Sequence, residues 1–231
     1  MQIAILSGMK SKNDQDIKSR EIYRAALRFW YEEWSEIMAT VEPGTSLNIR
    51  EFATADYVLF LYEENETTIK PMGLHMYRYV SLTPPNETLK ELSSTKFNPQ
   101  FFKKIADRNI HHVLTMEYFL VHKDYRSRKS GVATIIPFVG LELLKELKLD
   151  AFITAARVSV GASKIATNMG FEILEQILLH GEQTDLLIGE KSSLSHHLAS
   201  EKNEFREKGQ ELYTNRHDFT GGKNGFKKTA A

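Results

Sequence analysis

One arrangement limits the folds open to this chain more than any other feature. Residues 111–122, HHVLTMEYFLVH, read as a strand. From Gly131 the apolar residues Val132, Ile135, Ile136, Val139, Leu143, Leu144 and Leu147 recur at helical spacing. Residues 150–158, DAFITAARV, then read as a second, shorter strand. Strand, helix and strand in this order imply a parallel pair joined by a right-handed crossover, because parallel strands cannot be joined by a tight turn.

Hairpins flank this unit. DYVLFLYEE (56–64) and TIKPMGLHMYRYVSL (68–82) are rich in aromatic and branched residues and turn about ENET, with Pro71 near a strand start or bulge. EILEQILLHGEQTDLLIGE predicts a closing hairpin that turns at His180–Gln183. Ahead of them, Ile22, Ala26, Trp30, Trp34 and Met38 form a helical stripe over 13–38, widened by Tyr23, Leu27 and Ile37, with Asn13 and Asp14 as caps. Residues 83–110 read as an irregular insertion that covers a substrate site, with one short helix capped at Asn98 and Pro99 in its first position. The expected fold is α/β (α+β), a mixed, mostly antiparallel central sheet flanked by helices. It occupies residues 1–191 with 83–110 inserted. A polar helical extension follows over 192–231, and its last stretch, TGGKNGFKKTAA, is expected to be disordered.

Composition narrows the chemistry. Thirty basic residues balance thirty acidic ones, so overall charge steers toward neither nucleic acid nor anionic membrane. The absence of cysteine excludes disulfides, thiolate metal sites and a cysteine nucleophile, and fits a cytoplasmic protein. The most apolar segment, GVATIIPFVGLELL, is broken by Glu142 and is too short to span a bilayer. Adjacent strand residues point to opposite faces, so His111 and His112 make a poor chelate, and no metal is expected.

The chemistry is expected between the strand and the helix. The first turn of a helix has unpartnered N–H groups and the positive end of its dipole, an anion site. In YRSRKSGVAT (125–134) the small residues Gly131 and Ala133 let a phosphate approach the backbone, and Arg126, Arg128 and Lys129 add charge.

VHKDYRSRKSGVAT resembles the acyl-CoA pyrophosphate loop of the GNAT superfamily of N-acyltransferases, whose pattern Arg128, Gly131 and Ala133 match. GASKIATNMGFEIL is similar to the family's last helix and its Gly-Phe ending at Gly170–Phe171, and the order of elements agrees over roughly residues 15–190. The resemblance implies a splayed parallel pair and a donor that is acetyl-CoA or a longer acyl-CoA. Backbone groups of Lys129, Ser130, Gly131, Val132 and Ala133 would hold its pyrophosphate, with Arg126 and Arg128 beside them. The backbone of Phe119, Leu120 and Val121 would hold the pantetheine arm and polarise the thioester. An amine, small or on a protein, would attack directly. Such attack needs a base. Glu117 is the candidate, against a reading in which it pairs with a nearby His or Arg; His75, His111, His112 and His122 are others. Ala166 stands where many members carry a tyrosine general acid, and Ser159 where an asparagine is common. The acid is then missing, unnecessary, or supplied elsewhere, with Tyr125 and Tyr118 as the candidates. Two alternatives remain open. One is an N-acyl amino acid or homoserine-lactone synthase that takes its acyl group from acyl carrier protein, with Phe97, Phe101 and Phe102 lining an acyl channel. The other is a degenerate binding module that uses the C-terminal helix as a contact surface, through which an oligomer would also form.

Overall fold

The computed structural model describes residues 1–9, 16–41, 44, 46–66, 68–83, 87–179, 181–199 and 203–220. In chain order the elements are β1 (Gln2–Leu6), α1 (Ile17–Val41), α2 (Arg50–Ala53), β2 (Tyr57–Glu64), β3 (Ile69–Ser81), α3 (Glu87–Thr95), α4 (Pro99–Ala106), β4 (His112–Val121), α5 (Val132–Glu146), β5 (Ala151–Arg157), α6 (Ala162–Asn168), β6 (Glu172–Leu179), β7 (Glu182–Glu190), α7 (Lys191–Ala199), α8 (Asn203–Thr214) and β8 (His217–Asp218). The strands form one mixed sheet in the order β6-β7-β5-β4-β3-β2-β1-β8. The chain divides into two compact units, residues 1–76 with 118–136 and 211–231, and residues 77–117 with 137–210.

In the first unit β1 pairs antiparallel with β2, Ala4 opposite Phe60, and parallel with β8, Ala4 opposite His217. The apolar stripe of α1 buries Ile22, Tyr23, Ala26, Phe29 and Trp30 against Val58, Phe60 and Tyr62 of β2. Asn13 and Asp14, expected as caps, lie outside the described residues. Asp16 caps the helix: its Oδ1 accepts from the Ser19 N–H at 2.7 Å, and its own N–H donates to Ser19 Oγ at 3.1 Å. Gly8 is forced by close approach, since a Cβ there would stand 1.9 Å from the Phe52 carbonyl oxygen.

In the second unit β5 pairs parallel with β4 and antiparallel with β7, and β6 and β7 form the closing hairpin. The β4–β5 register runs only from Val113–Ala151 to Thr115–Ile153, so the parallel pair separates after three residues. The 83–110 segment is less irregular than its composition suggests. It contains α3 as well as α4, whose cap Asn98 accepts from the Phe101 N–H at 2.9 Å. Phe97, Phe101 and Phe102 are buried and packed ring on ring with Leu92, Ile105 and Ile153. They are core, not the lining of an acyl channel. The Gly-Phe ending is also a packing device: the Phe171 ring lies where a Cβ on Gly189 would be, 2.6 Å from it, and Gly170 has φ 96.

Helix α5 starts directly after Gly131 and holds Pro137 inside, costing one helical hydrogen bond. From Lys191 the described chain forms α7, α8 and β8; of the stretch read as disordered, 220–231, Thr220 is described, its hydroxyl donating to Asp218 Oδ1 at 2.7 Å, and residues 221–231 lie outside the described residues. No helix among the described residues is long and apolar enough to cross a membrane.

Candidate active site

The site candidates lie along β4 and the turn after it. Tyr118 adopts φ 55 inside the strand, a conformation that costs a non-glycine residue about 1–3 kcal/mol unless its surroundings hold it. Here they do. Trp30 and Trp34, one helical turn apart on α1, meet the Tyr118 ring edge-on at centroid distances of 5.6 and 5.0 Å. The two indoles thus hold the Tyr118 ring in place.

Beyond that kink the backbone direction can be read from two contacts. The His122 N–H donates to the Met72 carbonyl at 2.9 Å, and the Leu120 carbonyl oxygen lies 2.9 Å from where a Gly73 Cβ would stand. Residues 120 and 122 therefore turn their peptide groups toward β3, and alternation turns those of Phe119 and Val121 the other way. Leu120, expected to contact the pantetheine arm, is thereby excluded from that role. The Val121 carbonyl is occupied as well, since Arg126 Nε donates to it at 3.0 Å while Arg126 Nη2 holds Glu33 at 3.1 Å. Arg126 thus ties the strand end to α1 and is not a free phosphate ligand.

The turn itself is built by Ser130. Its hydroxyl lies on the carbonyl oxygens of Tyr125 and Ser127, the latter at 2.8 Å, and its N–H donates to the Ser127 carbonyl at 3.1 Å. Ser130 is therefore scaffold too, and its N–H is not available to an anion. Gly131 then takes the left-handed conformation, φ 67, and α5 begins. The Thr134 and Ile135 N–H groups bond the Gly131 carbonyl at 3.0 and 2.8 Å, and the Val132 N–H lies 3.4 Å from Ser130 Oγ. Val132 itself is buried. Ala133 is exposed, and its N–H makes no hydrogen bond among the described residues. Lys129 is exposed beside it. The Arg128 side chain lies outside the described residues. Tyr125, the other substitute acid, donates its hydroxyl to Glu63 Oε2 at 2.8 Å, while Lys70 lies 5.1 Å from its ring. Burial and the Glu63 carboxylate raise its pKa, so its proton is both tightly held and already engaged.

Glu117 is not a free base. Its oxygens accept from Arg78 Nε at 3.0 Å, Arg78 Nη2 at 3.1 Å, Thr115 Oγ1 at 2.9 Å and Lys96 Nζ at 2.5 Å. Arg78 also reaches Glu91 at 3.1 Å. The side chains of Glu117 and Arg78 are only 9% and 6% exposed. Burial alone would raise the Glu117 pKa, but Lys96 and Arg78 outweigh it and hold the carboxyl down at about 2. A carboxylate so held is a poor proton acceptor at neutral pH, and the expectation that it acts as base is corrected: it anchors two cations. Spacing along one strand could not reveal those partners. The one visible signal was Arg78 itself, a cation inside the otherwise apolar run MYRYV.

Three of the four candidate histidines are in contact with other groups, and His111, the residue before β4, is exposed. His75 is buried with its ring 5.1 Å from Phe119, His112 Nδ1 pairs with the Tyr79 hydroxyl at 2.7 Å, and His122 Nδ1 accepts from the Asp124 N–H at 3.3 Å. Ala166 is buried, and Ser159 donates to Glu182 at 2.9 Å. No three His, Asp or Glu side chains converge into a metal site among the described residues.

Among solved structures, an apo mutant of agmatine N-acetyltransferase is similar at 12% identity and TM-score 0.50, over 82% of this chain and all of that one. A CoA-dependent acyl-homoserine lactone synthase, BjaI, solved with SAM and isopentyl-CoA, is similar at 13% identity and TM-score 0.50, over 85% and 87% of the two chains. The chain has the GNAT fold. NAA60 of Arabidopsis thaliana with acetyl-CoA extends the likeness at 10% identity and TM-score 0.50, over 81% and 98%. No protein-family model and no curated protein sequence matches the chain.

Proposed function

We propose that the chain moves an acyl group from acyl-CoA to an amine, on a small molecule or a protein, by direct attack. The observation that carries this reading is the turn between β4 and α5. Gly131 in the left-handed conformation opens a fifteen-residue helix, the small exposed Ala133 offers its N–H, and Lys129 stands beside it. That is a form suited to a pyrophosphate. In this reading Lys129, Gly131 and Ala133 meet the donor's phosphates, and the peptide groups of Phe119 with the Val121 N–H meet its pantetheine arm. Two of the similar structures were solved with isopentyl-CoA and with acetyl-CoA, which supports the donor class.

The chemistry asks for little more. The amine nitrogen bonds to the thioester carbon, the C–S bond breaks, and CoA leaves as a thiolate that takes up a proton. An alkyl thiol has a pKa of about 8.5, so the thiolate departs without a side-chain acid, which fits Ala166 and the engaged Tyr125. The proton lost by the amine goes to water, because Glu117 is too weak a base to take it.

Release of free thiol tests the proposal, with no background from a chain that lacks cysteine. Thiol release that needs both acyl-CoA and an amine is expected across a panel of alkylamines and peptide N-termini. Release from acyl carrier protein but from no acyl-CoA, or from neither, defeats it.

A further inference from the structure

The Tyr118 kink is one extra residue in β4. The Leu82 N–H donates to the His111 carbonyl at 2.8 Å, and the His122 N–H to the Met72 carbonyl at 2.9 Å. Ten residue steps separate Met72 from Leu82, and eleven separate His111 from His122. The longer path is a β-bulge, and Tyr118, at φ 55, is the one residue of β4 with positive φ. Alternation decides what the bulge exposes. Counted from His111, an unbroken strand would aim the peptide groups of residues 119 and 121 at β3. The extra residue gives those places to Leu120 and His122 and turns Phe119 and Val121 away.

A left-handed bulge position is ordinarily glycine's. Tyrosine there is strained, and its ring is what α1 grips. Trp30 and Trp34 meet it edge-on, at interplanar angles of 83° and 87°. Neither indole N–H has a hydrogen-bond partner among the described residues, so the indoles grip by packing. The three rings and the segment from Phe119 to Ala133 lie in the first compact unit.

We propose that Trp34, with Trp30, is a positioning residue for the acyl donor: the indoles hold Tyr118 in its bulged conformation, and the bulge aims the Phe119 peptide groups and the Val121 N–H at the pantetheine arm. This rests on the acyltransferase reading and adds the residues that shape its donor strand. Trp34 acts through Tyr118 and not by touching the donor.

The test is calorimetric titration with acetyl-CoA of variants that circular dichroism finds folded. Tyr118→Leu and Tyr118→Gly both delete the ring, but only glycine keeps φ 55 without strain. Tyr118→Gly should therefore bind about as tightly as wild type, and Tyr118→Leu about tenfold more weakly, because the strain is then unopposed. Trp34→Leu should also weaken binding about tenfold, Trp34→Phe, which keeps an aromatic edge, should restore most of it, and Trp34→Leu should have little effect in the Tyr118→Gly background. Equal affinities for the two Tyr118 variants, or the same loss from Trp34→Leu in both backgrounds, overturn the clamp. If the wild type takes up no acetyl-CoA, the acyl-CoA reading fails and amide exchange decides the clamp alone. The His122 N–H, bonded to Met72, should then exchange about tenfold faster in Tyr118→Leu than in Tyr118→Gly, and equal rates overturn the clamp.

Discussion

Replacing Glu117 by Gln keeps the shape of the side chain and deletes the charge that Arg78 and Lys96 share. Among the described residues Arg78, 6% exposed, is then left with Glu91 as its carboxylate partner, which is 54% exposed. The size of the effect follows from the depression of the Glu117 pKa, from 4.5 to about 2. At roughly 1.36 kcal/mol per unit this is about 3 kcal/mol, the low end of the roughly 3–5 kcal/mol found when one partner of a buried ion pair is removed. In a domain of this size it corresponds to a fall in melting temperature of about 6–12 °C. The sign with pH is fixed. A depressed folded pKa contributes stability that is present above the unfolded value and lost as pH falls through the folded one. The gap between wild type and variant should therefore be constant above about pH 5 and close between 4.5 and about 2. Thermal melts followed by circular dichroism across pH 2–8 read both quantities. Coincident melts at pH 7, or a gap indifferent to acid, would refute the anchoring role. So would a limb of the pH–rate profile that the variant alone removes, since that is the mark of a general base.

Three smaller changes probe the supports of the site. Gly131→Trp, strained by about 1–2 kcal/mol at φ 67 and adding bulk at a buried position, should show no thermal shift with acetyl-CoA where circular dichroism finds it folded; an unchanged shift removes the loop from the donor site. Gly73→Ala would place a Cβ 2.4 Å from Ile136 Cδ1 and 2.9 Å from the Leu120 carbonyl, and should cost roughly 1–3 kcal/mol in urea denaturation. Asn98→Ala removes the cap of α4 and should cost about 1 kcal/mol in the same assay, and a neutral result would show the cap idle.

What the sequence made legible was what chain-local physics decides. The strand at 112–121, the helix after Gly131 and the hairpin at 172–190 are long, strongly patterned segments, and the structure has them. QIAIL was too short to announce β1, which becomes a strand only because β2 and β8 lie on either side of it. The two-residue β8 exists by pairing alone. The site divides the same way. Gly131 and Ala133 are legible because a helix start is a local object. The state of Glu117 is not, because Arg78 and Lys96 come to it from 39 and 21 residues away. Ser130, Arg126 and Leu120 looked like ligands by position, and the turn's own hydrogen bonds and the β3–β4 alternation assign them to scaffolding.

The central claim is that the turn opening α5 holds the diphosphate of an acyl-CoA. Calorimetric titration of the wild-type chain with acetyl-CoA, in parallel with Gly131→Trp, addresses it most directly. The account predicts one binding event per chain, weakened by salt and absent in the folded variant. A folded wild-type chain that takes up no acetyl-CoA, or a variant that binds it as well as the wild type, contradicts it.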